Sequence, residues 1–118
     1  MLQLRLGMEY TLKLYETGNG TEPLTDWLNG LKDQKARIAI RMRLGRMQLG
    51  NFGYCEPVGE GVSEMKIDLG PGYRIYYGMI GRTIVLLLCG GGKKTQDKDI
   101  RRALEFFKDH KQREKKNA

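Results

Sequence analysis

The sequence is poor in cysteine and histidine and has no long apolar run. Its 118 residues contain two cysteines, Cys55 and Cys89, and one histidine, His110. Two cysteines outside any CxxC pair exclude a disulfide framework, and a single histidine leaves no ligand set typical of zinc, so we predict no metal and no cofactor. The longest apolar run, residues 84–89, is too short to span a bilayer, which excludes a transmembrane helix there.

Basic side chains outnumber acidic ones. The chain has 21 Lys and Arg against 14 Asp and Glu, a formal net charge of +7. Residues 35–50 hold five basic side chains and no acidic one, and residues 93–118 hold ten basic and five acidic ones. A surplus confined to two segments favours an anionic partner such as nucleic acid. The first residues lack the apolar stretch and cleavage site of a signal peptide, so we expect a cytoplasmic protein with no membrane partner.

The first half of the sequence predicts one strand and two helices. Residues 9–16 alternate apolar and polar side chains, as in a half-buried strand. Thr21 is the predicted N-cap of a short helix that has Pro23 in its first turn and ends near Gly30. A second helix is predicted over residues 33–48. It carries one apolar stripe of Ala36, Ile40, Leu44 and Met47 and another, roughly opposite, of Ile38, Met42 and Leu49.

The second half predicts three antiparallel strands followed by a helix. Residues 62–69 and 73–79 alternate around a Gly-Pro-Gly turn. The third strand, at residues 83–89, contains the unbroken apolar run of residues 84–89, which is typical of a central strand buried on both faces. Three glycines at residues 90–92 are predicted to end that strand. The final helix is marked by an apolar stripe of Ile100, Ala103, Leu104 and Phe107.

The Gly-Pro-Gly turn also predicts which side chains face each other across the first hairpin. If the turn joins positions 69 and 73, Asp68 lies opposite Arg74 and Lys66 lies opposite Tyr76. All four side chains then share one polar face of the sheet.

These elements predict a single α+β domain over residues 8–110. The predicted order is β-α-α-β-β-β-α, a small antiparallel sheet with two N-terminal helices and a C-terminal helix packed on it. Residues 1–7 are a predicted N-terminal extension, with Met8 as an alternative natural start. Residues 111–118 have no apolar side chain apart from the terminal alanine and are predicted to be a basic, frayed tail.

Two local motifs identify a family resemblance. Residues 64–77 read EMKIDLGPGYRIYY, and residues 91–96 read GGKKTQ and are followed by DIRRA at residues 99–103. Together with the order of elements, these motifs resemble the RelE/ParE/HigB superfamily of toxins from type II toxin–antitoxin systems. Within it, the most similar branch is that of the phage-derived, HigB-like addiction module killer proteins. The resemblance extends from about Glu9 to Lys108 and implies a RelE-like fold.

The resemblance implies a toxin that a cognate antitoxin neutralises. RelE-like and HigB-like members cut mRNA in the ribosomal A site, whereas ParE-like members inhibit DNA gyrase. We predict a ribosome-dependent mRNA endonuclease, or mRNA interferase, that inhibits translation. Its partners are the antitoxin, the ribosome and mRNA, with DNA bound only indirectly through the antitoxin. The alternatives are a ParE-like gyrase inhibitor without nuclease activity and a degenerate toxin retained as a binding partner.

RNA cleavage through the 2′-hydroxyl needs a base, a group that stabilises the phosphorane and an acid. RelE-like enzymes use a cluster of lysine, arginine and tyrosine instead of histidine. The matching positions here are Lys66, Arg74, and Lys93 or Lys94. We assign catalysis to Lys66, Arg74 and Lys94, with Arg74 clamping two phosphate oxygens.

Two further side chains complete the predicted catalytic set. Tyr76 is a candidate proton donor or base-stacking group, and it is favoured over Tyr73 because its predicted side of the strand is the polar one. Glu64 is an alternative general base, since it lies on the same side as Lys66.

The basic segment of the second helix is a predicted RNA-binding face. It has no acidic neighbour for pairs at i and i+4, so repulsion within it costs stability unless an anion binds there. The predicted RNA-binding residues are Arg37, Arg41, Arg43, Arg46, Lys93, Tyr73 and Gln96.

Several of these residues also have structural interpretations. Arg74 could form a surface ion pair with Asp68, and Lys66 could be a solvated strand residue. His110 stands in a polar segment beyond the last apolar stripe and is a poor candidate for catalysis. The glycines before Lys93 do not have the spacing of a phosphate-binding loop and are better interpreted as a turn.

Overall fold

The computed structural model describes residues 9–117, in which the chain forms five strands and three helices. The predicted N-terminal extension at residues 1–7 and the alternative start at Met8 lie outside the described residues. The strands are β1 (Thr11–Leu14), β2 (Cys55–Gly59), β3 (Val62–Ile67), β4 (Tyr73–Ile80) and β5 (Ile84–Gly92). The helices are α1 (Pro23–Gly30), α2 (Gln34–Gln48) and α3 (Gln96–Lys116). The predicted α+β class is confirmed.

The strands form one mixed sheet in the order β1-β5-β4-β3-β2. β2, β3, β4 and β5 pair antiparallel in sequence order, whereas β1 runs parallel to β5, from Thr11 beside Ile84 to Leu14 beside Leu87. The expectation of a purely antiparallel sheet is therefore wrong for this pair. Parallel strands need a long crossover, and here two helices and three strands separate β1 from β5. The interior position of β5 is confirmed.

β2 is an additional strand that the sequence pattern did not reveal. Pro57 and Gly59 interrupt it, and both residue types are depleted in strands. The fold tolerates them because β2 is an edge strand, where a missing N–H need not break a hydrogen-bond ladder. The pairing with β3 also shifts between Pro57 and Gly59, which is typical of a bulge.

Helices cover both faces of the sheet. α1 and α2 lie on one face and α3 lies on the other, so apolar residues on both sides of β4 and β5 are buried. The core beneath α1 and α2 includes Leu24, Leu28, Ala36, Ile40, Met47, Met65, Ile75, Tyr77 and Leu87. The core beneath α3 includes Val62, Tyr76, Leu86, Leu88, Ala103 and Phe107.

Local signals place the starts of α1 and α2. Pro23 occupies the first turn of α1 as predicted, but the N-cap position is Glu22 and not Thr21. The Thr21 hydroxyl instead lies 2.6 Å from that of Thr17, within the loop before the helix. Asp33 caps α2, since its carboxylate accepts a hydrogen bond from the Ala36 amide at 3.2 Å.

The two apolar stripes of α2 have different surroundings. Ala36, Ile40 and Met47 are buried against the sheet, and Leu44 packs beside them. The second stripe is open: Ile38, Met42 and Leu49 are 53%, 56% and 70% exposed. The two predicted stripes are confirmed, and no other part of residues 9–117 packs over most of the second stripe.

The three glycines at the end of β5 continue the strand, so the prediction that they end it is wrong. Gly90 and Gly91 are required by what packs on them. A Cβ at Gly90 would lie 2.3 Å from the Trp27 ring, and a Cβ at Gly91 would lie 1.8 Å from the Asp99 carboxylate. Strand β5 therefore runs on between α1 and α3 only because these positions have no side chain.

The prediction that residues 111–118 form a frayed tail is wrong, because α3 continues to Lys116. Its second half is anchored to the segment after β1. The Tyr15 hydroxyl donates to the Asp109 carboxylate at 2.6 Å, and Arg113 pairs with the same carboxylate at 2.7 Å. Tyr15 also stacks on Phe106, with ring centroids 4.8 Å apart.

No helix among residues 9–117 is long and apolar enough to cross a membrane.

Candidate functional site

The pairing of β3 with β4 places two cations side by side at one end of the sheet. Lys66 lies opposite Arg74, Glu64 opposite Tyr76, and the last pair is Ile67 with Tyr73. The predicted register, with Asp68 opposite Arg74, is therefore wrong by two positions. The connection is a five-residue loop, residues 68–72, because Gly70 and Gly72 both adopt positive φ angles and lengthen the turn.

Beside this loop lies a cavity of about 470 Å³, here called the cation cavity. Four basic side chains line it, together with a single acidic one, Asp68. The rest of the lining comes from Tyr54, Ile67, Tyr73 and the Gly-Pro-Gly loop. The four basic residues are Arg43 from α2, Lys66 from β3, Arg74 from β4 and Lys93 from the segment after β5.

Arg43 joins α2 to the sheet. Its guanidinium donates hydrogen bonds to the backbone carbonyls of Lys66, at 3.3 Å, and of Phe52, at 3.2 Å. It therefore braces the wall of the cation cavity as well as contributing charge to it. The predicted RNA-binding role of Arg43 stays a prediction, and the structure adds this bracing role.

Behind Arg74 lies a buried carboxylate. Glu64 is 1% exposed, and its Oε2 atom lies 3.4 Å from the Arg74 Nε atom. The same oxygen accepts hydrogen bonds from the Tyr76 hydroxyl at 2.9 Å and from the Gln96 amide at 3.0 Å. Two neutral donors thus hold the carboxylate in place, and Arg74 pairs with it through charge, because the buried Arg74 Nε atom has no hydrogen-bond partner among the described residues.

This network changes three sequence predictions. Tyr76 is fully buried and does not face solvent, because α3 covers its side of the sheet. Burial and the Glu64 carboxylate raise the pKa of Tyr76 far above its ordinary value. Tyr76 and Glu64 are therefore not exposed at the surface of the cation cavity, and the Gln96 amide is bonded to Glu64. All three side chains lie behind Arg74.

Lys66 has a different environment. Its Nζ atom lies 3.6 Å from the Glu56 Oε2 atom and 5.1 Å from the centre of the Tyr54 ring. The Tyr54 hydroxyl donates a short hydrogen bond to Glu56. This hydrogen bond, and then the charge of Lys66, hold the pKa of the Glu56 carboxyl below its ordinary value. The predicted solvated position of Lys66 is supported by its side-chain exposure of 35%.

The two lysines after β5 separate. Lys93 lines the cation cavity, whereas Lys94 lies with Lys93, Gln96 and Arg101 around a shallower depression at the start of α3. Of the two candidates, the structure therefore brings Lys93, and not Lys94, next to Lys66 and Arg74. Tyr73 also lines the cavity, with its ring 6.0 Å from that of Trp27.

The remaining arginines of α2 have separate roles. Arg37 donates to the Leu31 carbonyl at 2.9 Å and fixes the junction of α1 and α2. Arg41 is exposed one turn later. Arg46 is also exposed and, with Arg43 and Asp68, lines a depression that adjoins the cation cavity. Of the predicted RNA-binding arginines, Arg43 and Arg46 therefore flank the cavity.

His110 lies on α3 away from the cation cavity. It is largely buried, with its Nε2 atom 3.9 Å from a Glu114 carboxylate oxygen. Burial lowers the pKa of His110 below its ordinary value. Within residues 9–117, no three His, Cys, Asp or Glu side chains are arranged to share a metal ion.

The cation cavity can bind a phosphodiester and stabilise added negative charge on it. A fixed guanidinium offers two parallel donors to two phosphate oxygens, and the ammonium groups of Lys66 and Lys93 add positive charge around the same space. Donors that are held in place before the ligand arrives stabilise a developing anion most effectively.

Comparison with known proteins places the chain among its relatives. It is 48% identical over 77 residues to an uncharacterized protein of Haemophilus influenzae, and this match covers 65% of the chain and 78% of that protein. The chain belongs to the same family as this Haemophilus protein. No protein-family model matches the chain. The match shows that the two proteins are related, and the relative's name describes no activity.

Two residues beside Lys66 were not predicted: Tyr54, which lines the cation cavity, and Glu56, which pairs with Lys66. Both contact Lys66 from β2 and the segment before it. A signal was present, because Tyr54, Glu56 and Val58 alternate with Cys55 and Pro57. Pro57 and the flanking glycines concealed it, since they favour a loop.

Proposed function

We propose that this protein is the toxin of a type II toxin–antitoxin system that cleaves mRNA on the ribosome without a metal ion. One observation carries the proposal: the cation cavity, in which Lys66, Arg74 and Lys93 converge and Arg74 is fixed from behind by Glu64. The resemblance to RelE-like and HigB-like toxins supplies the reaction. The cavity supplies the groups that this reaction needs.

In the proposed reaction, the 2′-oxygen of one nucleotide attacks the adjacent phosphorus. The new bond joins the 2′-oxygen to phosphorus, and the bond from phosphorus to the 5′-oxygen breaks, which leaves a 2′,3′-cyclic phosphate and a free 5′-hydroxyl. Arg74 binds the non-bridging oxygens of the phosphorane. Lys66 accepts the 2′-hydroxyl proton after its own ammonium proton has passed to solvent, and the ammonium group of Lys93 donates a proton to the leaving oxygen.

The basic surface of α2 supports docking on ribosomal RNA. Arg46 extends the positive charge of the cation cavity along the helix, and Arg41 and Lys35 add exposed charge on the same element. Phosphate contacts of this kind give affinity without reading sequence.

The exposed stripe of α2 supports an antitoxin partner. Ile38, Met42 and Leu49 are more than half exposed on a helix whose charges are all positive. An amphipathic, acidic antitoxin segment matches this surface in both polarity and charge. We expect the small protein encoded beside this gene to rescue growth and to co-purify at low salt. Failure of both would remove the antitoxin from the proposal.

The test is primer extension on translating ribosomes after induction of the protein. We expect new mRNA ends for the unaltered chain and for Arg82→Ala, an exposed arginine in the β4–β5 turn, and their loss for Arg74→Ala. Normal cleavage by a folded Arg74→Ala protein would contradict the mechanism. Growth arrest with altered DNA topology and intact mRNA would favour a gyrase inhibitor instead.

A further inference from the structure

A second cavity, of about 580 Å³, is lined by Trp27, whose ring is paired with that of Tyr73 in the lining of the cation cavity. Three segments surround it: the loop between β1 and α1, the start of α1, and the first turns of α3. Gly90 and Gly91 at the end of β5 form its base. We name it the aromatic cavity, after Trp27 and Phe106 in its lining.

The polar groups of the aromatic cavity differ from those of the cation cavity. Two carboxylates, Asp26 and Asp99, are balanced by Lys98 and Arg102. An assembly without surplus charge is a poor phosphate site. Aromatic rings combined with hydrogen-bonding groups suit a flat, polar heterocycle.

The two carboxylates differ in whether their oxygens already accept hydrogen bonds. Asp99 is almost fully buried, and its Oδ2 atom accepts a hydrogen bond from the Thr95 hydroxyl at 2.6 Å while Oδ1 lies 3.8 Å from Arg102. The Asp26 carboxylate lines the cavity directly beside Trp27 and, among the described residues, has no hydrogen bond or ion pair. Both Asp26 oxygens are therefore available as acceptors.

Neighbouring residues line the two cavities. Tyr73 lines the cation cavity, Trp27 lines the aromatic cavity, and their ring centroids are 6.0 Å apart. Lys93 and Thr95, which also line one cavity each, are two residues apart in the chain. A single-stranded RNA bound by phosphate in the first cavity can therefore place a neighbouring base in the second.

We propose that the aromatic cavity binds a guanine base of the RNA strand, stacked on Trp27 and hydrogen-bonded to Asp26. The proposal rests on the proposed RNA-cleaving function, and it adds a base-reading subsite to it. Guanine is selected because its Watson–Crick edge presents two adjacent donors, N1–H and the N2 amino group, which match the two oxygens of a carboxylate. Adenine and cytosine present an acceptor next to their amino group, and uracil presents one donor between two acceptors, so each meets the carboxylate with repulsion.

Trp27 makes the proposal testable without cleavage. It is the sole tryptophan of the sequence, so the intrinsic fluorescence reports on this cavity. The full chain is titrated with guanosine 5′-monophosphate, adenosine 5′-monophosphate and ribose 5-phosphate. We expect quenching by the guanosine nucleotide at roughly tenfold lower concentration than by the adenosine nucleotide, and no quenching by ribose 5-phosphate.

Two variants identify the side chain responsible. Asp26→Asn should weaken guanosine nucleotide binding about tenfold and should not weaken adenosine nucleotide binding, because the amide no longer repels the adenine acceptor. Asp97→Asn is the matched control, because it makes the same change of charge on an exposed residue outside the cavity. Equal quenching by both nucleotides, quenching by ribose 5-phosphate alone, or an Asp26→Asn protein that keeps its guanosine preference would each overturn the proposal.

A further variant separates this inference from the proposed function. Arg74→Ala removes the phosphate clamp but leaves the aromatic cavity, so the preference for the guanosine nucleotide should persist while cleavage is lost. Cleavage without a guanosine preference in the fluorescence titration would overturn the base subsite and leave the nuclease standing. A guanosine preference without cleavage on ribosomes would support the subsite and contradict the nuclease.

Discussion

Arg74 and Lys66 are neighbours across β3 and β4, and each has a carboxylate partner, yet the two pairs are built differently. Glu64, behind Arg74, is 1% exposed and is held by Tyr76 and Gln96. Glu56, beside Lys66, has a side chain that is 47% exposed. The first pair is part of the protein interior, and the second is a surface ion pair.

The difference separates a fixed group from an adjustable one. A buried guanidinium whose counter-charge is held by two further donors keeps its place before a ligand binds, which is what stabilisation of a transition state requires. An exposed pair contributes little to stability, because solvent screens it, and it can be exchanged for a better partner. Lys66 is therefore free to leave Glu56 for a phosphate or a hydroxyl, whereas Arg74 is not free to leave Glu64.

The largest expected effect comes from removing the fixed cation. Arg74→Ala should lower the rate of mRNA cleavage roughly a hundredfold or more, because the contact it removes is strongest in the transition state. Arg74→Lys should restore a small part, since an ammonium cannot make the two-pronged contact. Primer extension gives the rates, and thermal melting checks that each variant is folded. Ribosome pelleting should show binding nearly unchanged.

The next effect comes from the buried carboxylate. Glu64→Gln keeps the size of the side chain but removes its charge, so Arg74 loses its counter-ion inside the protein. We expect the free energy of unfolding to fall by about 2 kcal/mol and cleavage to fall about tenfold, with substrate binding less affected. Denaturant unfolding and single-turnover cleavage measure the two quantities. An Arg74→Ala/Glu64→Gln protein that loses the full sum of both single effects would show that the pair is not coupled.

A smaller effect should distinguish a fixed from a free arginine on α2. Arg46→Ala should flatten the dependence of log affinity for ribosomes on log salt by about 0.7 to 0.9 without changing the melting temperature. Arg43→Ala should also lower the melting temperature, because Arg43 donates to the backbone carbonyls of Lys66 and Phe52. Pelleting across a salt series, with Arg82→Ala as the control, measures the slopes. Unchanged slopes in both variants would place the RNA contact elsewhere.

The smallest effect concerns the exposed pair itself. The pKa of the Glu56 carboxyl is lowered, so its interactions stabilise the folded protein at pH values above about 4.3 and are lost as the pH falls through the lowered value. Because the Tyr54 hydrogen bond is the main cause, Tyr54→Phe should raise this pKa more than Lys66→Ala does. Carboxyl NMR titration measures both shifts. The reverse order would mean that Lys66 is held more firmly than the geometry indicates.

Much of the cavity was predictable because its cations are local features of the sequence. Lys66 and Arg74 flank a glycine-rich turn, and Lys93 follows a buried strand, so a hairpin beside a central strand brings them together. The predicted length of the turn between β3 and β4 was wrong. Two glycines with positive φ angles shifted the register by two positions, which moved Asp68 away from Arg74 and brought Lys66 next to it.

Burial was less predictable than the faces of the strands. The alternation correctly places Tyr76 and Glu64 on one side of the sheet and Ile75 and Met65 on the other. It does not reveal that α3 covers the first side, because a polar face looks the same whether water or a helix lies over it. The predicted end of α3 was wrong for a related reason. The last turns of this helix carry no apolar stripe, and they are held by Tyr15, which lies nearly one hundred residues earlier in the chain.

The sequence by itself determined the α+β class, the faces of β3 and β4, the two stripes of α2 and the basic surplus, because each follows from residue type and short-range period. Only the tertiary structure decided the parallel pairing of β1, the edge strand β2, the register beside the turn and the burial of Glu64. These depend on contacts between residues far apart in the chain. A local pattern defines which side of an element is apolar, but the element that packs against it is chosen by the whole chain.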